Sequence, residues 1–312
     1  MGGRIVVTGR VPEPALELLR GAGEVDAHMQ ETALPVEELH AAIAGADAVI
    51  TLLSDRVDEA FLNAAGPQLR VVANVAVGYN NIDVAACAAR GVLVTNTPGV
   101  LTDATADIAM ALILMVMRRL GEGERVIRSR TGWRWHMHYM LGTSLQGKTL
   151  GIVGLGQIGT ATARRARAFG MKVIYSGRRR ADERLEAELD ATFSGFDDLL
   201  ATSDVVSLHC PLTPETHHLI TAERLAQMRS DAYLVNTTRG PVVDEGALAE
   251  ALRSGVIRGA GLDVFEHEPD VHPLLLDLEN AVLIPHLGSA TIETRTAMAV
   301  LAARNAAAVL SG

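Results

Sequence analysis

Cysteine is nearly absent. Two thiols, Cys87 and Cys210, occur in 312 residues, too few for a disulfide framework, so a reducing compartment is expected. Long apolar runs are missing too. The longest, Ile108 to Met117, has ten residues, where a bilayer span needs about 20. The first residues, Met1-Gly2-Gly3-Arg4-Ile5-Val6-Val7, lack the extended apolar stretch of a signal peptide. Basic charge is in deficit, with 28 Lys+Arg against 37 Asp+Glu and a formal charge of −9. That excludes a general nucleic-acid binder, whose affinity comes from neutralising phosphates. Aromatics make up only 4%. What is present is 48% hydrophobic and 21% charged residues, enough to bury a large core over about two domains. The expectation is a soluble, cytoplasmic, globular protein with no nucleic-acid or membrane partner.

Short β-rich runs alternate with helical patterns. Strands are expected at Arg4–Gly9, Ala46–Leu53, Arg70–Ala76 and Val92–Thr95, with helices such as Pro12–Arg20, Glu37–Ala44 and Val84–Arg90 between them. Gly21, Gly45 and Gly91 follow these helices, where left-handed stop residues belong. The rhythm restarts after residue 148. Strands are expected at Thr149–Val153, Lys172–Ser176, Val205–Cys210, Tyr233–Thr237, Gly261–Phe265 and Val282–Ile284, and helices at Ile158–Phe169, Ala222–Met228, Glu245–Arg253 and Ile292–Leu310. Near-continuous apolar strands alternating with helices predict parallel sheets covered on both faces. Between the two halves, Asp103–Leu120 reads as a long apolar helix closed by Arg118 and Arg119. The stretch Gly121–Gly147 breaks the pattern and concentrates aromatics: Trp133, Trp135 and Tyr139, with His136 and His138. Such a concentration suits a contact surface or a local packing cluster, and the sequence leaves both open.

Gly154-Leu155-Gly156-Gln157-Ile158-Gly159 is a G-x-G-x-x-G run placed after an apolar strand and at the start of a helix. In that context the first glycine permits a tight turn, the second admits a pyrophosphate, and the third lets helix and strand pack closely. The helix N-terminus offers its N–H groups to the anion. An NAD-binding unit usually carries Asp or Glu about 20 residues further on to take the ribose hydroxyls. Here the residues are Ser176-Gly177-Arg178-Arg179-Arg180, with no carboxylate before Asp182. Guanidiniums can hold a 2′-phosphate, so NADP(H) is the expected cofactor and NAD(H) the alternative.

Three polar segments fall at strand ends in the second half: Asn236–Gly240, Asp263–Pro269 and Pro285–Thr291. Ligands of doubly wound sheets bind outside the carboxyl ends of strands. Hydride transfer to a 2-oxo acid needs a cation for the carboxylate and carbonyl, a proton donor, and a carboxylate to keep that donor charged. Arg239, His286 and Glu268 fit these roles in turn, although spacing alone does not select them. His136-x-His138, His217-His218 and Glu266-His267-Glu268 hint at metal binding, but none supplies three or four ligands at a familiar spacing, so no metal is expected. Cys210, at a strand end before Pro211, reads as a small packed side chain rather than a nucleophile.

Several of these segments, with Asn74-Val75-Ala76-Val77-Gly78-Tyr79-Asn80-Asn81-Ile82-Asp83 and His209-Cys210-Pro211-Leu212-Thr213, resemble the NAD(P)-dependent D-2-hydroxyacid dehydrogenases over essentially the whole chain. The resemblance implies an α/β fold of two doubly wound parallel-sheet domains. A flavodoxin-like substrate domain would combine 1–98 with 288–312. A Rossmann coenzyme domain would occupy 99–287, including a dimerisation arm at about 121–147, and the active site would lie in the cleft. It further implies that Arg239 binds substrate, that Glu268 pairs with His286 and that His286 is the acid/base. Backbone N–H groups at Val77 and Gly78 would hold the substrate carboxylate. Thr105 would lie near the nicotinamide or phosphates, and Cys210, Pro211, Thr238, Asp263 and Gly288 would line the cofactor site.

Within that family the chain is most similar to glyoxylate/hydroxypyruvate reductases. The similarity rests on Leu101–Asp107, the Tyr175–Arg178 turn, the Trp135-His136…Leu141-Gly142 arm and His286–Thr291. It implies a homodimer in which Trp135 shapes the neighbour's substrate pocket. The alternatives are another D-2-hydroxyacid dehydrogenase, of the D-3-phosphoglycerate type for example, and a dinucleotide-sensing corepressor on the same scaffold.

Overall fold

The computed structural model describes residues 3–312. The chain divides into two compact units, Met1–Leu101 with Ala290–Gly312, and Thr102–Ser289. Unit one runs β1 (Gly3–Val7), α1 (Glu13–Ala22), β2 (Gly23–Ala27), α2 (Val36–Ile43), β3 (Ala48–Thr51), α3 (Glu59–Ala65), β4 (Val71–Asn74), α4 (Val84–Ala89) and β5 (Leu93–Thr95). Its strands pair in parallel in the order β2-β1-β3-β4-β5, the flavodoxin-like order.

Unit two runs α5 (Thr102–Met117), α6 (Leu120–Ser129), β6 (Thr149–Val153), α7 (Gln157–Ala168), β7 (Lys172–Ser176), α8 (Glu183–Leu189), β8 (Ala191–Phe193), α9 (Phe196–Thr202), β9 (Val205–Leu208), α10 (Ala222–Gln227), β10 (Tyr233–Asn236), α11 (Glu245–Ser254), β11 (Gly259–Leu262), α12 (Pro273–Leu276) and β12 (Ala281–Leu283). The last helix, α13 (Ile292–Ser311), returns to unit one. The seven strands of unit two are also all parallel, ordered β12-β11-β10-β9-β6-β7-β8. The order reverses at β6, so the ligand crevice of this sheet lies outside the carboxyl ends of β6 and β9.

Both sheets are covered on two faces, as their unbroken apolar strands require. In unit one, Ile5, Val7 and Ile50 pack with α1 and the alanine face of α13, including Ala299, Ala302 and Ala306. Val6, Val49 and Val72 face α2, α3 and α4 through Ile43 and Phe61. In unit two, Leu112, Ile113 and Met117 of α5 pack on one face with Leu150, Tyr233 and Val235, while Leu208, Leu234 and Leu262 face α10 and α11 on the other. No described helix is long and apolar enough to cross a membrane.

The structure corrects several expectations. Gly21 lies inside α1, and the helix gives way to an extended Gly23, whereas Gly45 and Gly91 do adopt positive φ. The long apolar helix stops at Met117 instead of Leu120. Arg119 turns left-handed at φ 54° and begins α6. Its guanidinium does not close the preceding helix but makes two hydrogen bonds to Glu122, at 2.8 and 2.7 Å. The first third of the irregular stretch is therefore helical. Strands β2 and β8 and helices α3, α8, α9 and α12 also escape the sequence pattern. The two strands lie at sheet edges, where residues are part-exposed and apolar alternation fades.

Candidate functional site

The glycine turn connects β6 to α7. Gly154 has φ +98°, and a Cβ there would lie 2.9 Å from the His209 carbonyl carbon, so both backbone conformation and space demand glycine. A Cβ at Gly159 would come within 2.3 Å of the Gly154 carbonyl oxygen, which is the close helix–strand approach expected of the third glycine. Gly156 caps α7 without a side chain, and Gln157 and Ile158 open its first turn, whose N–H groups have no acceptor within the helix. The open backbone at Gly156, where an added Cβ meets nothing within 4 Å, fits an anion such as a pyrophosphate.

At the end of β7, Ser176 is buried and its carbonyl accepts from Gly154 N at 2.8 Å, tying the two strand ends together. Arg178 and Arg179 are exposed beyond it. Arg180 is committed elsewhere: Nε and Nη2 grip Glu186 at 2.9 and 2.8 Å. Tyr175 Oη also donates to Glu186, at 2.5 Å, and accepts from Ala181 N at 2.8 Å. These contacts hold the Glu186 carboxyl at about 2. The turn is thus braced by one arginine and presents two.

His209 and Cys210 follow β9 beside the glycine turn. His209 Nε2 lies 2.9 Å from Ser207 Oγ, its Nδ1 is buried without a partner, and burial drives its pKa down to about 4. Burial raises the Cys210 thiol to about 11, so it stays protonated, consistent with a packing side chain. The Pro211 carbonyl accepts from Thr216 Oγ1 at 2.6 Å.

The loops after β10, β11 and β12 bring Arg239, Glu268 and His286 to one end of the sheet. His286 Nδ1 and Glu268 Oε2 are 2.8 Å apart. Burial opposes ionisation of Glu268. The hydrogen bond and charge of His286, the Phe265 amide and the Arg239 guanidinium outweigh it and hold the carboxyl below its ordinary value. Arg239 is half-buried, donates to its neighbour's carbonyl, Thr238 O, at 2.8 Å, and feels both burial, which lowers its pKa, and Glu268, which opposes that. Asn236 organises this loop. Its Oδ1 accepts from Thr238 N and Oγ1 at 3.0 and 2.8 Å, and its Nδ2 donates to the Arg239 carbonyl at 3.0 Å. A Cβ at Gly240 would fall 1.8 Å from the Phe265 carbonyl oxygen, so the loops bearing Arg239 and Glu268 touch backbone to backbone.

His286 itself has φ +50°, a conformation that costs a non-glycine residue about 1 kcal/mol or more unless its surroundings hold it. Asp263 does the holding. Its carbonyl accepts from His286 N at 2.8 Å. Its buried carboxylate accepts from Leu287 N at 2.5 Å and Gly288 N at 2.8 Å. Burial pushes the Asp263 carboxyl up, against those amide bonds and the His286 charge. Expected only to line a cofactor, Asp263 is in the structure the brace of the histidine turn. Thr105 joins the same turn, donating to the Gly288 carbonyl at 3.0 Å.

Val77 and Gly78 belong to unit one, in the loop after β4. Their carbonyls accept from Asn96 Nδ2 at 2.8 Å and Asn74 Nδ2 at 3.1 Å. In the aromatic segment, Tyr139 stacks on Trp133 at 6.2 Å and meets His136 edge-on at 5.4 Å, so part of it is a local cluster. Trp135 lies outside that cluster and is 75% exposed.

One grouping was invisible in the sequence. His217, His218 and Glu266 converge, their potential ligand atoms all within 4.8 Å of one another. The two histidines and the glutamate sit on different loops, and local spacing had separated them into two incomplete sets.

Residues 110–288 match the family described as D-isomer specific 2-hydroxyacid dehydrogenase, NAD binding domain. A glyoxylate reductase of Thermococcus kodakarensis is 49% identical over 99% of this chain and 93% of its own. Among solved structures, the TT0316 protein of Thermus thermophilus superposes with a TM-score of 0.92 at 46% identity, over 99% of this chain and 97% of that one. The NADPH-dependent glyoxylate/hydroxypyruvate reductase of Sinorhizobium meliloti, solved with NADP and malonate, gives 0.83 at 34% identity, over 98% and 92%. On the strength of this likeness and of the two parallel-sheet units, the chain belongs to the D-isomer-specific 2-hydroxyacid dehydrogenase family.

Proposed function

We propose that the protein is an NADPH-dependent reductase of small 2-oxo acids, converting glyoxylate to glycolate and hydroxypyruvate to D-glycerate in the cytoplasm. The carrying observation is the His286–Glu268 pair, 2.8 Å apart, with the Arg239 guanidinium acting on the same carboxylate, at the carboxyl end of a sheet that bears the glycine turn. A dinucleotide held at the Gly154–Gly159 turn would supply the hydride.

Arg239 holds the substrate carboxylate and polarises the carbonyl, an interaction strengthened by its partial burial. Glu268, ionised, accepts a hydrogen bond from the Nδ1–H of His286. That fixes the tautomer and orientation of the ring and leaves Nε2 to hand its proton to the carbonyl oxygen as the hydride reaches carbon. In the oxidative direction Nε2 takes the proton back. The Val77 and Gly78 amides receive the carboxylate end of the substrate. Thr105, Cys210, Pro211, Thr238, Asp263 and Gly288 line the cofactor side. Arg178 and Arg179 receive the 2′-phosphate, and the lack of a carboxylate at this turn favours NADPH over NADH. The names of relatives support the substrate class, and the NADP complex of the Sinorhizobium enzyme supports the cofactor. Trp135, on the arm of a homodimer, shapes the partner's pocket.

The test is cofactor oxidation with glyoxylate, hydroxypyruvate and pyruvate in parallel, each with NADPH and NADH. Turnover of the first two with NADPH is expected. No turnover of any 2-oxo acid, with cofactor still bound, would turn the reading toward a dinucleotide-sensing protein.

A further inference from the structure

The geometry of the His217–His218 turn points to a divalent metal site of the zinc type, formed by His217, His218 and Glu266, that clips together two loops at the carboxyl end of the unit-two sheet. His218 Nε2 lies 2.6 Å from Glu266 Oε1. The two imidazoles stack with centroids 4.1 Å apart and planes at 28°. His218 sits at φ +47°, a conformation that few non-glycine residues adopt. It is pinned there by its own amide, which donates to the Pro241 carbonyl at 2.7 Å, and by His217 N, which donates to the Thr213 carbonyl at 2.9 Å.

The carboxylate arm is fixed with equal care. Glu266 N donates to Glu245 Oε2 at 2.6 Å, and Glu266 Oε2 accepts from Glu245 N at 3.3 Å. Glu245 is buried and its other oxygen accepts from His272 N at 2.6 Å. Outer partners of this kind orient metal ligands. Two imidazoles and one carboxylate are the ligand chemistry of zinc and its first-row neighbours rather than of calcium or magnesium, which prefer oxygen donors. Tetrahedral coordination at about 2.0–2.2 Å places donor atoms roughly 3.3 Å apart. The His218–Glu266 pair must open slightly to reach that spacing. The ring of His217 is exposed and must rotate out of its stack with His218.

The site has a structural role, because the reaction uses His286 and Glu268. Glu266 stands two residues before Glu268, and the His218 amide is bonded to the loop that follows Arg239. A bound ion therefore ties the β9 loop to the loop that carries the partner of the proton donor.

Untagged full-length protein, stripped with chelator, would be titrated with Co²⁺ and its visible absorption read for tetrahedral coordination, then with Zn²⁺ by calorimetry and by thermal melting. One ion per chain is expected, with a rise in melting temperature of about 5–10 °C at 100-fold excess over Kd. His217→Ala, a change at an exposed position, is expected to weaken binding by about 10-fold or more and so to cut the thermal shift at the same ion concentration to about half or less. Glu266→Gln should do the same. A His136→Ala/His138→Ala double variant should bind as the parent does. Absence of the cobalt spectrum in the parent, its survival in His217→Ala, or its loss in the arm variant would each overturn the proposal.

Discussion

His209 allows a quantitative prediction. Its imidazole is placed between Ser207 Oγ and a buried environment that gives Nδ1 no partner, and burial brings its pKa down to about 4 from 6.5. A group whose folded pKa is depressed leaves stability intact above its unfolded value. As pH falls below about 6.5 the unfolded chain takes up a proton that the folded chain refuses, so stability drops. The loss grows by up to about 1.4 kcal/mol per pH unit and ends near pH 4. Over 2.5 units that is about 3 kcal/mol, a large part of the 5–15 kcal/mol that typically holds a domain together. His209→Gln keeps a hydrogen-bonding group within reach of Ser207 and cannot titrate. Its own cost, about 1–2 kcal/mol for imperfect replacement of a buried polar group, is independent of pH. Urea unfolding of parent and variant would be followed by circular dichroism at pH 7.0, 6.0, 5.0 and 4.5. Other carboxylates titrate equally in both proteins, so the difference between the two curves isolates His209. The variant is expected to be the less stable protein at pH 7 and to overtake the parent below about pH 5. Curves that run parallel from pH 7.0 to 4.5 would refute the reasoning.

The remaining predictions concern the site. Arg178→Ala with Arg179→Ala should weaken NADPH about 10- to 150-fold while sparing NADH, the effect of losing a charge-assisted phosphate contact of about 1.5–3 kcal/mol; an unmodified enzyme that prefers NADH by kcat/KM would defeat this assignment. His286→Ala should cut kcat by about 10²–10⁴ with cofactor affinity, read by fluorescence titration, near normal. In Glu268→Gln the ionised oxygen that orients the His286 ring is gone, so kcat should fall by about 10²-fold or more with cofactor affinity near normal; an unchanged kcat would break the pairing. Light scattering should give a dimer of about twice the 33.1 kDa chain, since an arm with Trp135 and Met137 more than 70% exposed suits a two-fold interface. Trp135→Ala should change the ratio of kcat/KM among glyoxylate, hydroxypyruvate and pyruvate, and an unchanged ratio in a monomer would make the arm local packing.

What the sequence disclosed depended on how far apart the cooperating residues lie. The glycine turn was legible because its three glycines, the preceding strand and the following helix fall within about 20 residues, and each glycine answers a separate steric demand that the structure displays. The buried strands were legible because parallel pairing under two helical layers leaves no polar face to interrupt an apolar run. Edge strands such as β2, with alternating exposure along Gly-Glu-Val-Asp-Ala, carry no such run. At the candidate site, Arg239, Glu268 and His286 sit on three loops, and only the family resemblance singled them out. Their supports were less visible still. Asp263 looks in sequence like one more polar strand-end residue, yet both its carboxylate oxygens are spent on the turn that strains His286 to φ +50°. Arg180 looked equivalent to Arg178 and Arg179, but a carboxylate six residues later already engages its guanidinium. The deepest case is Glu266, 48 residues from His218 and in contact with it. No local spacing rule reaches that far, because the juxtaposition is made by β10 lying between β9 and β11 in the sheet. Where strand order folds distant loops together, the chemistry becomes visible only once the topology is known.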